Sequence, residues 1–325
     1  MCTSVKYKNI CGRNLDLQYP LDNKVVITPR NYLFNFRHTK ENNKNGFAMI
    51  GMALVKNNYP LYFDAMNEYG LFVAGLNFDG FASYFNEVEG KTNICSFELI
   101  PYILRKCKNI SEVKKLLKDV NITKTAFSKE LTPSPLHWQV ADKNEVIVIE
   151  QTVHGLSIYD NPYQVLTNNP GFTYHAENIK KYINIKPDHY SSSKFTNGLE
   201  IKANSNGIGT ASLPGGLNSE DRFIKVAFTC LNSVSEDNES DELNQFFHIL
   251  KSVEQTRGQV ISLENLYEIT LYSSAISSKT LTYYYTTYDN SQINAVKLNT
   301  KNINLNDEQL FIYELANKIN INYQN

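Results

Sequence analysis

Long apolar runs are missing from this chain of 325 residues, and no stretch approaches the length of a membrane-crossing helix. No basic segment followed by an apolar one stands at the N-terminus, so no secretory leader is expected and the expected compartment is the cytoplasm. An excess of one charge is missing too. Lys and Arg total 32 against 33 Asp and Glu, for a net charge of -1. That balance offers no field for nucleic acid and no acidic solvating tail. Cysteine is sparse: Cys2, Cys11, Cys95, Cys107 and Cys230 form an odd set with no CxxC pair. The pattern argues against a disulfide framework and against a zinc site. Cys230 lies on an apolar helical stripe, and Cys95 and Cys107 flank another helix. These three read as small buried hydrophobes. The histidines (His38, His137, His154, His175, His189 and His248) are scattered without an HExxH motif, which favours a structural or surface role for each. Neither GxGxxG nor GxxxxGK(S/T) is present. The nearest glycine-rich stretch, Asn206-Gly207-Ile208-Gly209-Thr210 followed by Leu213-Pro214-Gly215-Gly216, has no lysine in place and no clear strand before it. It reads as a mobile surface loop that shapes a pocket. No metal and no cofactor are implied.

What is present is a large core and many short strands. Hydrophobic residues make up 42% of the chain, enough for one large domain or two ordinary ones. Leu61–Met66 and Leu71–Phe78 flank Asn67-Glu68-Tyr69-Gly70, a hairpin turn. Leu136–Ala141 and Glu145–Thr152 predict a second hairpin, and Leu281–Tyr288 with Gln292–Leu298 a third. The N-terminus predicts a tight one, Thr3–Tyr7 turning at Lys8-Asn9 into Ile10–Leu17. Helical spacing marks Phe97–Lys106, a segment capped by Ser111, a segment behind Ser219 and a segment behind Ser240. The helices fall in two blocks, roughly 96–120 and 219–252. Strands come in hairpins and do not alternate with helices, so the sheets should be antiparallel and the fold a layered α+β. Lys40–Gly46 and Asn232–Ser240 read as exposed polar loops. No repeat, linker or boundary divides the chain, so a single domain over 1–325 is expected.

The chemistry starts at Cys2. A residue in second position ordinarily means little. If Met1 is removed, though, Cys2 carries both a thiol and a free α-amine. An α-amine has a reference pKa of about 7.7–8.0, so part of it is neutral base at physiological pH. One residue then supplies nucleophile and base together. Arg13, on the second strand of the hairpin, can lie beside the thiol and favour the thiolate. Asp16 can hold the amine. Spacing alone favours a surface ion pair for Arg13 and Asp16.

MCTS with GRNLD resembles the start of the choloylglycine hydrolase family, which groups bile salt hydrolases with penicillin V acylases. YPLYFDAMNEYGLFVAGLNF, EGKTNI, LHWQVAD, VIVIEQT, YQVLTNNPGF, LPGG, DRFIKVAF, FFHIL and YYYTTYDNSQINAV resemble further family blocks, in the family's order and across nearly the whole chain. The resemblance implies the N-terminal nucleophile hydrolase fold, a four-layer αββα sandwich of antiparallel sheets. It implies Cys2 as nucleophile and, through its freed amine, as base. It places Arg13 and Asp16 beside Cys2, the backbone N–H of Asn77 and the side-chain amide of Asn168 in an oxyanion hole, and Arg222 as the remaining active-site position. Taken alone, Asn77 and Asn168 could be turn or strand-edge residues, and Arg222 could pair locally with Glu220 or Asp221. A cation in the first turn of a helix is not what the helix dipole prefers.

Some positions depart from the family pattern. The first hairpin is a few residues shorter, so a slip of one in register would turn Arg13 and Asp16 to the wrong faces. Leu15 replaces a frequent methionine in a pocket wall, and Phe63 stands where a small residue is usual. The resemblance implies a bile salt hydrolase cleaving glycine- or taurine-conjugated bile acids, with Leu15, Phe63, Asn77 and Phe78 against the substrate. The asparagine in AGLNF favours this over a penicillin V acylase or another N-acyl amine acylase. The loops Phe78–Phe85 and Phe127–Leu136 are candidate walls, and Gly207-Ile208-Gly209-Thr210 resembles the loop of taurine-preferring members. A catalytically silent family member that binds bile acid is the reading from another class. The resemblance implies a homotetramer, with no nucleic-acid or membrane partner.

Overall fold

The computed structural model describes residues 1–39, 44–301 and 303–325. Residues 40–43 of the expected loop at Lys40–Gly46 lie outside the described residues. The chain opens with β1 (Cys2–Tyr7) and β2 (Ile10–Leu17), joined by the two-residue turn expected at Lys8-Asn9. It continues through β3 (Asn23–Thr28), β4 (Met49–Lys56), β5 (Tyr59–Asn67), β6 (Phe72–Asn77) and β7 (Thr92–Cys95). The first helical block holds α1 (Leu99–Lys106) and α2 (Ile110–Leu116), and β8 (Val120–Thr123) follows. Next come β9 (Leu136–Ala141), β10 (Val146–Thr152), β11 (Gly155–Asp160), β12 (Val165–Leu166) and α3 (Phe172–Asn178). The hairpin β13 (Ser192–Thr196) and β14 (Leu199–Lys202) precedes the second helical block, α4 (Ser219–Asn232) and α5 (Glu239–Lys251). The chain closes with β15 (Val260–Ile261), β16 (Tyr267–Ser277), β17 (Thr282–Thr287), β18 (Asn290–Lys297) and β19 (Phe311–Tyr313).

Two antiparallel sheets form the centre. One runs β12-β1-β2-β16-β17-β18 with β15 attached, and the other runs β11-β10-β9-β6-β5-β4-β3-β19. Their inner faces share one apolar cluster, in which Leu15, Tyr272 and Ile276 of the first sheet meet Ile50, Met66 and Leu76 of the second. The same cluster extends through the first sheet to Phe223, Val226, Phe246 and Leu250 of α4 and α5. The outer face of the second sheet packs Val73, Val140 and Ile149 against Leu99, Ile103 and Val113 of α1 and α2. The order of layers is therefore helices, sheet, sheet, helices, the αββα sandwich expected. Gly12 is required where β1, β2 and β16 press together: a Cβ there would sit 1.9 Å from the Ser274 carbonyl oxygen.

The helix caps differ from expectation. Ser111, Ser219 and Ser240 lie one or two residues inside their helices, and the N-caps are Asn109, Asn218 and Asn238. Each asparagine accepts the N–H of an acidic residue three positions on: Glu112 at 3.0 Å, Asp221 at 2.9 Å and Asp241 at 2.9 Å. Asparagine and serine cap about equally well. The carboxylate in the first turn, favoured by the helix dipole, makes the asparagine the better choice. Val120, at the end of the first expected helical block, instead starts β8.

Candidate active site

Register in the β1–β2 hairpin decides which side chains share a face. Cys2 pairs with Leu15 and Ser4 with Arg13. Cross-strand partners project to the same side, so Cys2, Arg13 and Leu15 all face the second sheet. The short turn leaves the register of Arg13 with Cys2 intact. Arg13 donates from Nη1 to the carbonyl of Gly75 and, at 3.1 Å, to that of Phe63. Asn14 and Asp16 face the opposite way, towards the helices. The Asn14 amide donates to the Leu250 carbonyl of α5 at 3.0 Å, and Asp16 Oδ1 accepts from the Thr270 hydroxyl at 2.6 Å. The second Asp16 oxygen is buried without a partner. Met1 is present, and its ammonium donates to the Asp16 carbonyl at 2.6 Å and to the Glu268 carboxylate.

Asn168 stands at the centre. It follows β12, the short strand that pairs with β1. Its Oδ1 accepts the Cys2 N–H at 2.7 Å and Arg222 Nη2 at 2.8 Å. Its Nδ2 donates to the Asn77 carbonyl at 2.8 Å. Arg222, from the first turn of α4, donates through Nη1 to the Cys2 carbonyl and the Thr3 hydroxyl, both at 2.6 Å, and through Nε to the Leu217 carbonyl at 2.8 Å. Its bonds run across the fold to the N-terminal strand; Asp221 instead accepts from the Asn218 amide. Ser219, displaced from the cap, uses its hydroxyl to accept the Asn168 N–H at 2.9 Å.

The orientation of Asn77 follows from the ladder. Asn77 pairs with Leu136 at the end of β6, and the next N–H, that of Phe78, donates to the Pro135 carbonyl at 2.8 Å. Hydrogen-bonded and non-hydrogen-bonded pairs alternate along antiparallel strands. Asn77 with Leu136 is thus a non-hydrogen-bonded pair, consistent with the Leu136 N–H donating to the Tyr84 hydroxyl at 2.8 Å. Both backbone groups of Asn77 turn away from β9, to the edge where its carbonyl meets the Asn168 amide.

Burial and charge compete across the site. Burial raises the Asp16 carboxyl above its ordinary value, and Arg222 and the N-terminal ammonium oppose that. Burial presses Arg222 downward, against the pull of Asp16 and Cys2. Burial also works against the Arg13 charge, but Cys2, Tyr272, Asp64 and Asp16 together outweigh it and hold Arg13 above its ordinary value. All cysteines are unpaired and buried. Burial pushes the thiols of Cys11, Cys95, Cys107 and Cys230 up to about 12, which leaves them inert at neutral pH.

The residues expected against substrate divide into two kinds. Leu15 lies directly across from Cys2 and Phe63 is half-buried next to Arg13. Phe78 is fully buried, its ring stacked on His137 at 4.3 Å and on the exposed Phe81 at 5.3 Å, so it backs a wall. The segment around Gly207 is pinned: Lys186 N–H donates to the Gly209 carbonyl at 3.0 Å. Sequence reasoning missed Glu268, Thr270 and Asp64. Asp64 is wholly buried and accepts from the hydroxyls of Tyr272 at 2.7 Å, Tyr283 at 2.8 Å and Ser274 at 3.3 Å. A carboxylate inside the otherwise apolar run PLYFDAM was the available signal. Among the described residues, no group of three or more His, Cys, Asp or Glu is arranged to hold a metal. No helix among them is long and apolar enough to cross a membrane.

Comparison with known proteins places these residues in context. The model of the linear amide C–N hydrolases, choloylglycine hydrolase family, matches residues 1–311. The chain is 45% identical to the bile salt hydrolase/transferase of Lactiplantibacillus plantarum, over 98% of each chain. A mutant of the conjugated bile acid hydrolase from Clostridium perfringens superposes with a TM-score of 0.91 at 33% identity, with all of both chains covered. The penicillin V acylase from Agrobacterium tumefaciens shares the fold, with a TM-score of 0.75 at 18% identity over 99% of this chain and 94% of that one.

Proposed function

The chain belongs to the choloylglycine hydrolase family of linear amide C–N hydrolases, and we infer that it is a bile salt hydrolase cleaving the amide of glycine- or taurine-conjugated bile acids. The observation that carries the mechanism is the position of Asn168. Its oxygen holds the Cys2 nitrogen, and its amide nitrogen lies at the edge towards which Asn77 turns its backbone. Excision of Met1 converts that Cys2 nitrogen into an α-amine, already held by Asn168 Oδ1.

In the proposed reaction the amine takes the thiol proton and Sγ attacks the substrate carbonyl carbon. The oxyanion receives hydrogen bonds from Asn168 Nδ2 and the Asn77 N–H. Two fixed neutral donors stabilise it without reorganisation, and each is worth about 10²–10³ in rate. The C–N bond breaks as the α-ammonium returns its proton to the leaving amine of glycine or taurine. Water then attacks the thioester, the amine takes its proton, and the bile acid leaves as Cys2 regains its hydrogen. Arg13 supplies positive charge on the face of Cys2. Asp16, with one buried oxygen unpartnered, accepts from the freed amine. Arg222 ties the Cys2 carbonyl to Asn168 and so fixes nucleophile and oxyanion donor relative to one another. Leu15 and Phe63 line the apolar side of the pocket.

We further propose one domain over 1–325, a cytoplasmic enzyme and a homotetramer. The free thiols are in keeping with a reducing compartment. The hairpin β13–β14 carries Phe195, 75% exposed, with Leu199 and Ile201 also exposed, an apolar face of the kind that a second copy covers. The test of function is amine release from taurocholate, glycocholate and penicillin V, with Cys2→Ala as control. Release of taurine or glycine far ahead of penicillin cleavage, and only with Cys2 present, supports the reading. Cleavage of penicillin V alone would reject the substrate while keeping the nucleophile.

A further inference from the structure

Asn168 makes contacts on its other side that the reaction does not require. The segment Thr167–Phe172 is gripped by three buried polar side chains from three elements. His137 on β9 places Nε2 2.8 Å from the Thr167 carbonyl and Nδ1 3.2 Å from Glu150 Oε1. Glu150 on β10 also accepts the Phe172 N–H at 2.8 Å, so one carboxylate ties the far end of the segment to His137. His175 on α3 places Nε2 3.0 Å from the carbonyl of Asn168 itself. His137 and His175 are 0% exposed and Glu150 is 3% exposed. Polar groups this deep are costly unless each is bonded, and here nearly every bond is spent on this one segment.

The stacking is equally specific. The His137 ring lies against Phe78 at 4.3 Å with planes 6° apart, and His175 lies against Phe223 of α4 at 4.7 Å and 15°. His137 therefore touches both halves of the oxyanion site, Phe78 next to Asn77 and the carbonyl next to Asn168. His175 joins Asn168 to the helix that supplies Arg222. The Nδ1 of His175 has no partner, and burial lowers this histidine to about 4. It is therefore the neutral ring that donates from Nε2 to the carbonyl oxygen.

We propose that His175 and the His137–Glu150 pair are positioning residues that set the Asn168 amide at the oxyanion site, acting through the Thr167–Asn168 backbone. The inference rests on Asn168 being an oxyanion donor. Catalytic amides must be held within a fraction of an ångström of the productive geometry. A side chain on a short post-strand segment acquires that fixity from the groups holding its backbone. The His175 carbonyl bond, the Ser219 hydroxyl on the Asn168 N–H and the His137 bond one residue earlier supply it.

The experiment is steady-state glycocholate hydrolysis by His175→Phe, His175→Gln, Asn168→Ala and the double variant Asn168→Ala/His175→Phe, with unfolding midpoints for each. Phe keeps the stack on Phe223 and removes the donor; Gln restores an N–H at the position of Nε2. The expected result for His175→Phe is a roughly 10–100-fold fall in kcat with KM little changed, below the full loss of an oxyanion donor. His175→Gln should recover to within about 3-fold of wild type. In the Asn168→Ala background His175→Phe should cost little more, since residues acting through one another are non-additive. If Asn168→Ala is itself fully active, the oxyanion reading fails. If Asn168→Ala is slow but His175→Phe turns over normally, or if its effect is fully additive, the positioning role alone is overturned. Equal losses for Phe and Gln that track the unfolding midpoint also overturn it, in favour of a purely structural histidine.

Discussion

Replacing Asn168 by aspartate separates its two jobs, because the carboxylate keeps an oxygen for the Cys2 N–H and Arg222 but has no N–H to donate. In the folded chain the only bond lost is the 2.8 Å contact to the Asn77 carbonyl, worth about 0.5–1.5 kcal/mol net. Arg222 Nη2, 2.8 Å from Oδ1, gains an anionic partner. Stability should therefore change by no more than about 1–2 kcal/mol. Activity should respond far more. Loss of one oxyanion donor removes about 2.7–4 kcal/mol of transition-state stabilisation, a factor of about 10²–10³. The new negative charge adds repulsion of about 4 kcal/mol at 4 Å for an effective dielectric near 20, part of which Arg222 screens. A fall in kcat of at least about 10³-fold is expected. Amine release from glycocholate at saturating substrate reads the rate, and urea unfolding of the same preparation reads the fold. Asn168→Ala should lose stability as well as rate, because Cys2 N–H and Arg222 both lose their acceptor. An Asn168→Asp enzyme within tenfold of wild type, at unchanged stability, would refute the assignment of Nδ2 as an oxyanion donor.

Three other outcomes follow from particular contacts. His175 is lowered from 6.5 to about 4, so its neutral form favours the folded state. That contribution, about 3 kcal/mol at 1.36 kcal/mol per unit, is complete above 6.5 and lost as pH falls towards 4; urea midpoints measured across this window should flatten in His175→Gln. Gly12→Ala would place a Cβ 1.9 Å from the Ser274 oxygen and force β2 from β16, at a cost on the order of 3 kcal/mol; a near-normal urea midpoint would contradict the close approach. Phe195→Asp with Ile201→Asp on the exposed hairpin should lower the mass seen by light scattering and leave glycocholate turnover per chain within about twofold; an unchanged mass would remove this hairpin from the proposed interface.

Much of this protein was legible in one dimension. The hairpins of Leu61–Met66 with Leu71–Phe78, Leu136–Ala141 with Glu145–Thr152, and Leu281–Tyr288 with Gln292–Leu298 announce themselves through turn residues between alternating runs, and the structure forms all of them, the last turning at Tyr288-Asp289. The helical stripes ending in Cys230 and Leu250 were equally clear, because periodicity is local. Caps were less so, since Asn109 and Ser111 satisfy the same local rule and only the chain direction into the helix separates them. For the site, Cys2 is special by its covalent position alone, and GRNLD and LTNNP carry the resemblance that marks Arg13, Asp16 and Asn168.

What the order of residues could not decide is who meets whom. Arg13 and Asp16 are three residues apart, yet one shares the face of Cys2 towards the second sheet and the other faces the helices, because the register of β1 on β2 pairs Cys2 with Leu15. Arg222 reads locally as a partner for its acidic neighbours but reaches Cys2, 220 positions away, and Asn168, 54 positions away. His137, Glu150 and His175 are unremarkable letters in three separate blocks, and only the stacking of β9, β10 and α3 gathers them behind Asn168. The physical reason is common to all of these. Local periodicity dictates which face of an element is apolar, whereas a buried polar side chain takes its meaning from the single partner that compensates its desolvation, and tertiary packing alone chooses that partner.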